Sequence, residues 1–442
     1  MVKHFTPEDL ASFVHTELQR SKIKEVKPSE SILKELFNTL YYTSLQTEEG
    51  QFIKVTVTLF DHADFENKDL SKHDNPGFFA FDPKIEFSIK NLVKLSKAAD
   101  PWSSSLSVYY DDSEKLFIYG MIDQTIHYQS YLNYEEEEKP LYPGIIQAMI
   151  NGIGILNVML DYHPIATLNQ HSLVKLYPNV FEYGPVSEFI SENAAYKKAF
   201  IEKKVGHSLT AEDAEIYNEI IFEYVIQAIS RILLRIKNYS HGGAILITKN
   251  FNADLTTKYH LEYDRIQSAI LHTLTSVTDN DLLLNEIKSY KKKAKDIPAV
   301  LHDEYKENEL DIDNSYNEMI GAVRFVSSLS CVDGLVLMSP HLEVKGFGAV
   351  INEKELPEYI AVSKSSKPSA QRLKIDPKHF GTRHQSMFSY CLKHPDSLGF
   401  VVSQDGEIRA IKNVEGEVMM WENIKVYQFE RSNKIPKLPP RK

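Results

Sequence analysis

A long amphipathic stretch that runs directly into a glycine-marked apolar segment constrains the fold of this chain most strongly. Residues 214–236, AEIYNEIIFEYVIQAISRILLRI, carry one continuous apolar face and one charged face, which predicts a helix. Residues 241–248, HGGAILIT, follow at once. The two glycines mark the end of the helix, and the apolar run predicts a short buried strand. A chain that places helices and strands next to each other in this way is expected to be mixed α/β.

The N-terminal part is predicted to be helical first and β-rich afterwards. Residues 6–45 have helical spacing, and Thr6, Pro7 and Glu8 provide an N-cap, a first-turn proline and a first-turn acid. FIKVTVTLF at 52–60 alternates apolar and polar residues, which predicts a half-buried strand.

Two further segments support the β-rich assignment. Residues 106–122, LSVYYDDSEKLFIYGMI, predict two strands joined by a polar turn. The apolar run at 144–160, GIIQAMINGIGILNVML, is short for a membrane span and includes Gln147 and internal glycines. It therefore predicts buried core strands.

The C-terminal part is predicted to contain a helical connector and a second set of strands. Residues 279–314 are highly charged and have a helical period broken by Pro298, which is typical of a solvated helical excursion. The predicted organisation has three parts. These are an N-terminal helical lead plus β-rich domain at 1–185, a connector and α/β domain with a mixed sheet at 186–430 that includes a charged insertion at about 275–320, and a basic, proline-rich, disordered tail at 431–442.

Charge and cysteine content restrict the class of protein. The chain has 442 residues and a formal net charge of −11, which argues against broad electrostatic binding to nucleic acid or to an anionic membrane. Cys331 and Cys391 lack the spacing of a zinc or redox site, so we expect buried, reduced thiols. The N-terminus does not have the pattern of a signal peptide. We therefore expect a cytoplasmic protein that binds neither membranes nor nucleic acid.

Three short motifs among the C-terminal strands carry candidate chemistry, and each has a purely structural alternative. Asp333 in VDGLVLM either caps a turn or faces a ligand or metal, and the pattern alone favours the turn. In GTRHQS at 381–386, a glycine permits close approach and Arg383 offers a planar fork to phosphate, whereas the alternative is an arginine that caps carbonyls beside a stacked histidine. VVSQDGEI at 401–408 reads by itself as a hairpin with an Asp-Gly turn.

Taken in order, these motifs resemble the diadenylate cyclase (DAC) family, a nucleotide-binding domain also found in DNA-integrity scanning proteins. The family pattern is an apolar strand beginning with Gly-Ala, then Leu-His-Asp-Gly-Ala, then Gly-Thr-Arg-His-Arg, then Ser-Glu-Glu. GGAILIT, CVDGLVL, FGTRHQS and VVSQDGEIRAI are similar to these elements over about residues 215–415. The chain looks closest to divergent bacterial DAC-like branches that are regarded as nucleotide sensors.

The resemblance implies roles for individual residues. Asp333 would hold a Mg²⁺ or Mn²⁺ ion and would be catalytic in an active cyclase, and Asp405 would be a second, weaker metal ligand. The nucleotide, a purine nucleotide or cyclic dinucleotide, would contact the three motifs. The implied contacts are Gly334, Leu335, Gly381, Thr382, Arg383, His384, Gln385 and Ser403.

Departures from the family pattern bear on catalysis. The histidine before the aspartate is Val332, the following alanine is Leu335, and the second arginine of the phosphate-binding run is Gln385. One acid of the last motif is also lost, at Gln404. Because catalysis must stabilise the charge that develops on a transferring phosphate, these changes favour binding without rapid turnover.

We therefore expect a nucleotide or cyclic-dinucleotide sensor. The alternative is an active metal-dependent cyclase that makes cyclic di-AMP from ATP across two facing subunits of a homo-oligomer. A third class is an interaction scaffold, against which the retained Asp333 and Arg383 argue.

Overall fold

The computed structural model divides into two compact units, residues 1–176 and 177–442. Its secondary structure is mixed α+β, which confirms the predicted fold class. The predicted domain limits stay predictions, and the tail at 431–442 and Asp405 lie outside the described residues. The structure describes residues 4–20, 28–61, 77–100, 103–123, 135–136, 146–160, 163–174, 178–194, 211–239, 241–293, 296–367, 370–404, 406–426 and 429–430.

The first unit is built on an eight-stranded sheet. Its helices are α1 (Pro7–Arg20), α2 (Glu30–Ser44) and α3 (Ile89–Leu95). Its strands are β1 (Thr47–Glu48), β2 (Gln51–Phe52), β3 (Val55–Asp61), β4 (Gly77–Glu86), β5 (Ser104–Tyr110), β6 (Leu116–Asp123), β7 (Glu135–Glu136), β8 (Ile146–Gly152), β9 (Ile155–Leu160), β10 (His163–Asn169) and β11 (Ser172–Val174). The sheet order is β11-β10-β9-β8-β3-β5-β6-β4, and only the β3–β5 pair in it is parallel.

Local sequence signals account for several of these elements. Thr6 caps α1, because its backbone N–H donates to Asp9 Oδ2 at 2.9 Å and its hydroxyl accepts from the Asp9 N–H at 3.4 Å. The predicted hairpin at 106–122 is confirmed as β5 and β6, and the apolar run at 144–160 supplies β8 and β9. No helix among the described residues is long and apolar enough to cross a membrane.

The central strand β3 is more deeply buried than its alternating pattern predicts. Its apolar side chains pack under the helices, but Thr56 and Thr58 on the other face are also only 1% exposed. The Thr58 hydroxyl is hydrogen-bonded to Ser105 Oγ at 2.7 Å and accepts from Gln147 Nε2 at 3.0 Å. These hydrogen bonds offset the cost of burying polar groups, so the prediction of a half-buried strand was wrong.

The second unit is built on a nine-stranded mixed sheet. Its helices are α4 (Pro185–Ala194), α5 (Ala211–Asn238), α6 (Arg265–Lys292), α7 (Ala299–Leu329) and α8 (Thr382–Lys393), with a 3₁₀ turn at Pro377–His379. Its strands are β12 (Gly243–Thr248), β13 (Leu255–Tyr263), β14 (Leu335–Met338), β15 (Val344–Ile351), β16 (Ile360–Ser363), β17 (Arg372–Ile375), β18 (Ser397–Val402), β19 (Ile408–Val414), β20 (Glu417–Trp421) and β21 (Phe429–Glu430). The sheet order is β13-β15-β14-β12-β18-β19-β20-β16-β17, with β12–β14 and β16–β20 parallel.

Helices cover both faces of this sheet. Met387 and Phe388 of α8 are buried in the apolar cluster on one face, together with Leu246 of β12. The other face packs against α5, α6 and α7, with Ile229 and Phe400 in the same core. Each strand of the centre is therefore apolar on both sides, as expected for a sheet between two helical layers.

The region between β13 and β14, which includes the charged segment 279–314, forms two long helices, α6 and α7, and the ends of these helices outside that segment contribute to this core. Ile270 and Val326 are buried against the sheet, and Arg265 forms an ion pair with Glu318 at 2.6 Å. Pro298 lies immediately before α7, where its missing N–H costs nothing.

The two cysteines differ in exposure. Cys391 lies in α8 and is buried, as predicted. Cys331 is exposed, so that part of the prediction was wrong. It lies in the turn between α7 and β14, outside the packed layers.

Candidate functional site

Three of the sequence motifs lie together where the central strands of the C-terminal sheet begin or end, and we call this end of those strands the sheet edge. β12 lies between β14 and β18, parallel to the first and antiparallel to the second. Gly243, at the start of β12, pairs with Val402, at the end of β18. Asp333 precedes β14 by two residues, and Ser403 directly follows β18. Asp333 and Ser403 therefore lie at the same end of the sheet, on either side of β12.

The N-terminus of α8 provides the third motif. Gly381 is the N-cap, and its carbonyl accepts hydrogen bonds from the backbone N–H groups of His384 at 3.0 Å and Gln385 at 3.1 Å. The first N–H groups of a helix have no partner within the helix, and they carry its positive dipole end. A Cβ added at Gly381 would meet no atom within 4 Å, so the chain leaves this end open.

Arg383 joins α8 to the glycine turn before β12. Its Nη1 donates to the His241 carbonyl at 3.4 Å, which is long for a hydrogen bond. A Cβ on Gly242 would lie 3.0 Å from Arg383 Nη1 and 2.8 Å from the Val402 carbonyl oxygen. Gly242 also has a φ of +66°. Only glycine fits this conformation and this space, so the first glycine of HGG permits the helix and the strands to converge.

His384 is a buried, neutral side chain in this arrangement. It is 8% exposed, and its Nε2 lies 3.3 Å from Arg409 Nη1. Burial, together with the positive charges of Arg409 and Arg383, lowers the pKa of His384 to about 4. Because a guanidinium can only donate, Nε2 accepts and the ring proton resides on Nδ1. The resemblance implies a phosphate contact for His384, whereas in this conformation its Nε2 supports Arg409.

Arg409 is the residue of this site that the sequence motifs did not identify. It lies on β19 and is 14% exposed as a side chain. Its Nη1 donates to Ser403 Oγ at 2.6 Å, its Nη2 pairs with Glu407, and its Nε lies 3.6 Å from Glu422 Oε1. The guanidinium of Arg409 therefore contacts both Ser403, in the VVSQDGEI motif, and His384.

The sequence signal for Arg409 was weak. It occupies the polar position between Ile408 and Ala410 in an alternating strand, a pattern that ordinarily indicates a solvent-facing side chain. The close contact with His384 of α8 depends on how that helix packs over β19, which the strand pattern does not contain.

Two residues that were predicted to contact the nucleotide form hydrogen bonds within the protein. Gln385 Nε2 donates to the Phe380 carbonyl at 2.6 Å and so braces the loop before α8. The Ser403 backbone N–H donates to the Glu407 carbonyl at 2.9 Å, which closes the hairpin turn around Gly406. Thr382 is exposed at the start of the helix.

The glycine and leucine of the Asp-Gly-Leu motif have structural reasons for their identity. Gly334 has a φ of +119°, and a Cβ there would lie 2.5 Å from the Gly348 carbonyl carbon. Leu335 is 7% exposed and belongs to the apolar cluster under α8.

Asp333 is exposed at the sheet edge. Within the described part of the chain, no group of three His, Cys, Asp or Glu side chains is placed to hold a metal ion. Asp333 therefore offers one carboxylate, and the described residues do not by themselves form a complete metal site.

Comparison with known proteins concerns the other unit. Residues 22–123 match the family model described as probable sensor domain DACNV. The match spans α2, β1 to β6 and α3 of the N-terminal unit, and it is a similarity of that region. No curated protein and no solved structure matches the chain.

Proposed function

We propose that this protein is a sensor whose C-terminal unit binds a purine nucleotide or a cyclic dinucleotide. The DACNV match of residues 22–123 supports the sensor role. The convergence of Asp333, the α8 N-terminus and the glycine turn at one sheet edge supports the nucleotide. A helix N-terminus beside an arginine is suited to phosphate, since both the N–H groups and the guanidinium donate to its oxygens.

The unpaired charge of Arg383, relative to the described carboxylates, is the observation on which this proposal mainly depends. Arg409 is paired with Glu407 and lies near Glu422, so its charge is largely compensated. The guanidinium of Arg383 forms no ion pair with any described carboxylate. Its one described hydrogen bond is the 3.4 Å contact with the His241 carbonyl. Its guanidinium is therefore available for phosphate oxygens.

A divalent cation belongs to the proposal as a companion of the nucleotide. Mg²⁺ is commonly held by one or two carboxylates together with substrate phosphates. Asp333 would supply one such carboxylate, and bound phosphates would supply further ligands.

The test is calorimetric titration of the full chain with ATP, ADP, GTP and cyclic di-AMP in the presence of magnesium. Arg383→Ala is expected to weaken binding by about 1.5–3 kcal/mol, the scale of a hydrogen bond to a charged group. Arg372→Ala is the matched control, because Arg372 lies on the edge strand β17 and pairs with Glu417 at 2.7 Å. Equal affinity in Arg383→Ala and wild type would remove the phosphate role, and the absence of any binding would favour a scaffold.

An active cyclase is the second candidate, and the exposed Asp333 at the same edge favours it. Two features weigh against rapid catalysis: Gln385 braces a loop carbonyl, and Arg409 is engaged with carboxylates. We expect little or no cyclic di-AMP after incubation with ATP and manganese, analysed by chromatography. Robust product that is abolished in Asp333→Asn would reverse the order of the two candidates and would require two facing copies of the chain.

A further inference from the structure

The N-terminal unit contains a cavity of about 380 Å³ at one end of its sheet. β4 and β5 begin there and β6 ends there, since Phe79 pairs with Met121 and Ser104 pairs with Asp123. The described lining residues fall within 79–123, inside the region that matches the sensor domain. A cavity of this volume is large enough to bind a small organic molecule.

Apolar side chains, two of them aromatic, make up part of the lining. Phe79, Phe81 and Met121 belong to this part, and Phe79 is 62% exposed. A phenylalanine gains free energy when its ring is removed from water, and a ligand that covers Phe79 supplies that gain. A second aromatic ring against it adds the attraction of an aromatic pair. This part of the lining is therefore suited to an aromatic ligand body.

Ser103 and Ser104 provide hydrogen-bonding groups in the lining. Ser103 Oγ donates to Asp100 Oδ2 at 2.7 Å, and Ser104 Oγ donates to the Asp100 carbonyl oxygen at 3.0 Å. A hydroxyl has one proton and two lone pairs. Because both protons are already donated to Asp100, the two hydroxyls can offer a ligand only their acceptor lone pairs. A ligand group that binds them must therefore carry an N–H or an O–H.

The charged groups of the lining do not call for a charged ligand. Asp100 and Asp123 line the cavity, and both already interact with other groups of the protein. Neither carboxylate therefore needs a cationic ligand as its partner. The described lining residues include no lysine or arginine that would select an anion. A neutral ligand is favoured, because a charged group loses more hydration energy when it leaves water.

We propose that this cavity binds a small, neutral aromatic molecule that carries an N–H or O–H donor. The ring covers Phe79, and the donor binds the Oγ atom of Ser103 or Ser104. The hydrogen bond gives orientation and selectivity, whereas the ring contact gives most of the buried apolar area. The proposal rests on the sensor role of the N-terminal unit and is independent of nucleotide binding at Arg383.

Two probes with the same ring system test the hydrogen bond. The full chain is titrated by calorimetry with indole, whose N–H donates, and with 1-methylindole, which has no donor. Indole is expected to bind about fivefold more tightly, the effect of one neutral hydrogen bond. In the double variant Ser103→Ala/Ser104→Ala the two affinities are expected to converge, because indole loses its acceptor. Ser113→Ala is the matched control and should keep the wild-type difference, since Ser113 Oγ also donates to an aspartate, Asp111 Oδ1 at 2.6 Å, in the β5–β6 turn.

A second variant tests the ring contact and keeps the proposal testable if the serine variant does not fold. Phe79 is largely exposed, so Phe79→Ala leaves the core intact and is expected to weaken both probes about fivefold. Phe52→Ala is its control, because Phe52 is 60% exposed on β2 and is not among the described lining residues.

Four results would each overturn the proposal. They are no binding of either probe, equal affinities of the two probes in wild type, an unchanged difference in the serine variant, and unchanged affinities in Phe79→Ala. Nucleotide titrations of the same samples report separately on the C-terminal site.

Discussion

At the scale of single residues, the environment of His384 decides its chemistry. Desolvation and two neighbouring guanidiniums disfavour the imidazolium, and the ring is held as an acceptor for Arg409. The histidine of the GTRH run therefore acts in this conformation by positioning a cation, and Arg383 beside it faces the open edge.

The depressed pKa of His384 predicts a pH dependence of stability. The folded pKa is about 4, whereas an unfolded histidine titrates near 6.5, so the unfolded state binds the proton first as the pH falls. Stability is thus full above pH 6.5 and is lost between about 6.5 and 4. We expect the free energy of unfolding to be about 2 kcal/mol lower at pH 5 than at pH 7 from this group.

Urea titrations at the two pH values measure this effect. His384→Gln removes the ionisable ring, so its stability should change less between pH 7 and pH 5. His272→Gln, at an exposed position of α6, should retain the wild-type difference. A pH dependence that is the same in His384→Gln and wild type would contradict the assigned protonation state.

At the scale of elements, two glycines at the sheet edge serve different purposes. Gly334 lies directly before β14 with a φ of +119° and leaves no space for a side chain beside Gly348. Gly381 begins α8 with a φ of −65° and has open space around it. The first glycine is required by its backbone conformation and by the lack of space, whereas no contact within the described protein requires a glycine at the second position.

Alanine substitutions should separate these two purposes. Gly334→Ala is expected to cost more than about 3 kcal/mol, since it combines backbone strain with a backbone clash. Gly381→Ala is expected to cost about 1 kcal/mol or less in stability, the scale of an N-cap change, while it weakens nucleotide binding. Denaturant unfolding of both variants and calorimetry of Gly381→Ala test this. Similar stabilities of the two variants would contradict it.

At the scale of the whole molecule, the C-terminal unit begins before its first long helix. Phe181 is fully buried and stacks on Phe400 of β18, with ring centroids 6.0 Å apart. Val186 and Phe189 of the short helix α4 belong to the same core. The described residues 178–194 therefore contribute to the C-terminal core.

Two fragments test this limit. Fragment 177–442 is expected to melt cooperatively. Fragment 205–442 lacks Phe181 and α4, and it should be less stable by more than about 3 kcal/mol, since removing even one core phenylalanine costs about that much. Chemical unfolding of the two fragments under the same conditions provides the comparison. Equal stability would place the limit of the unit after α4.

The sequence by itself determined the elements whose signals are local. The cap at Thr6, the β5–β6 hairpin and the long helix before Gly242 are each encoded within a few turns or one tight loop, where periodicity and turn chemistry act directly. The mixed α+β class followed from these elements. The motif order also suggested which residues to compare with a nucleotide-binding family.

Only the tertiary structure decided how the candidate site is assembled. The strand order β14-β12-β18 is not the order of the chain, so Asp333, Gly242 and Ser403 come to the same end of the sheet through long-range pairing. Arg409 reaches Ser403 within the β18–β19 hairpin, but its contact with His384 again depends on the tertiary fold. The same packing buries His384 beside a guanidinium and leaves Cys331 exposed. Burial and electrostatic neighbours are properties of the assembled fold, because residues far apart in sequence supply them.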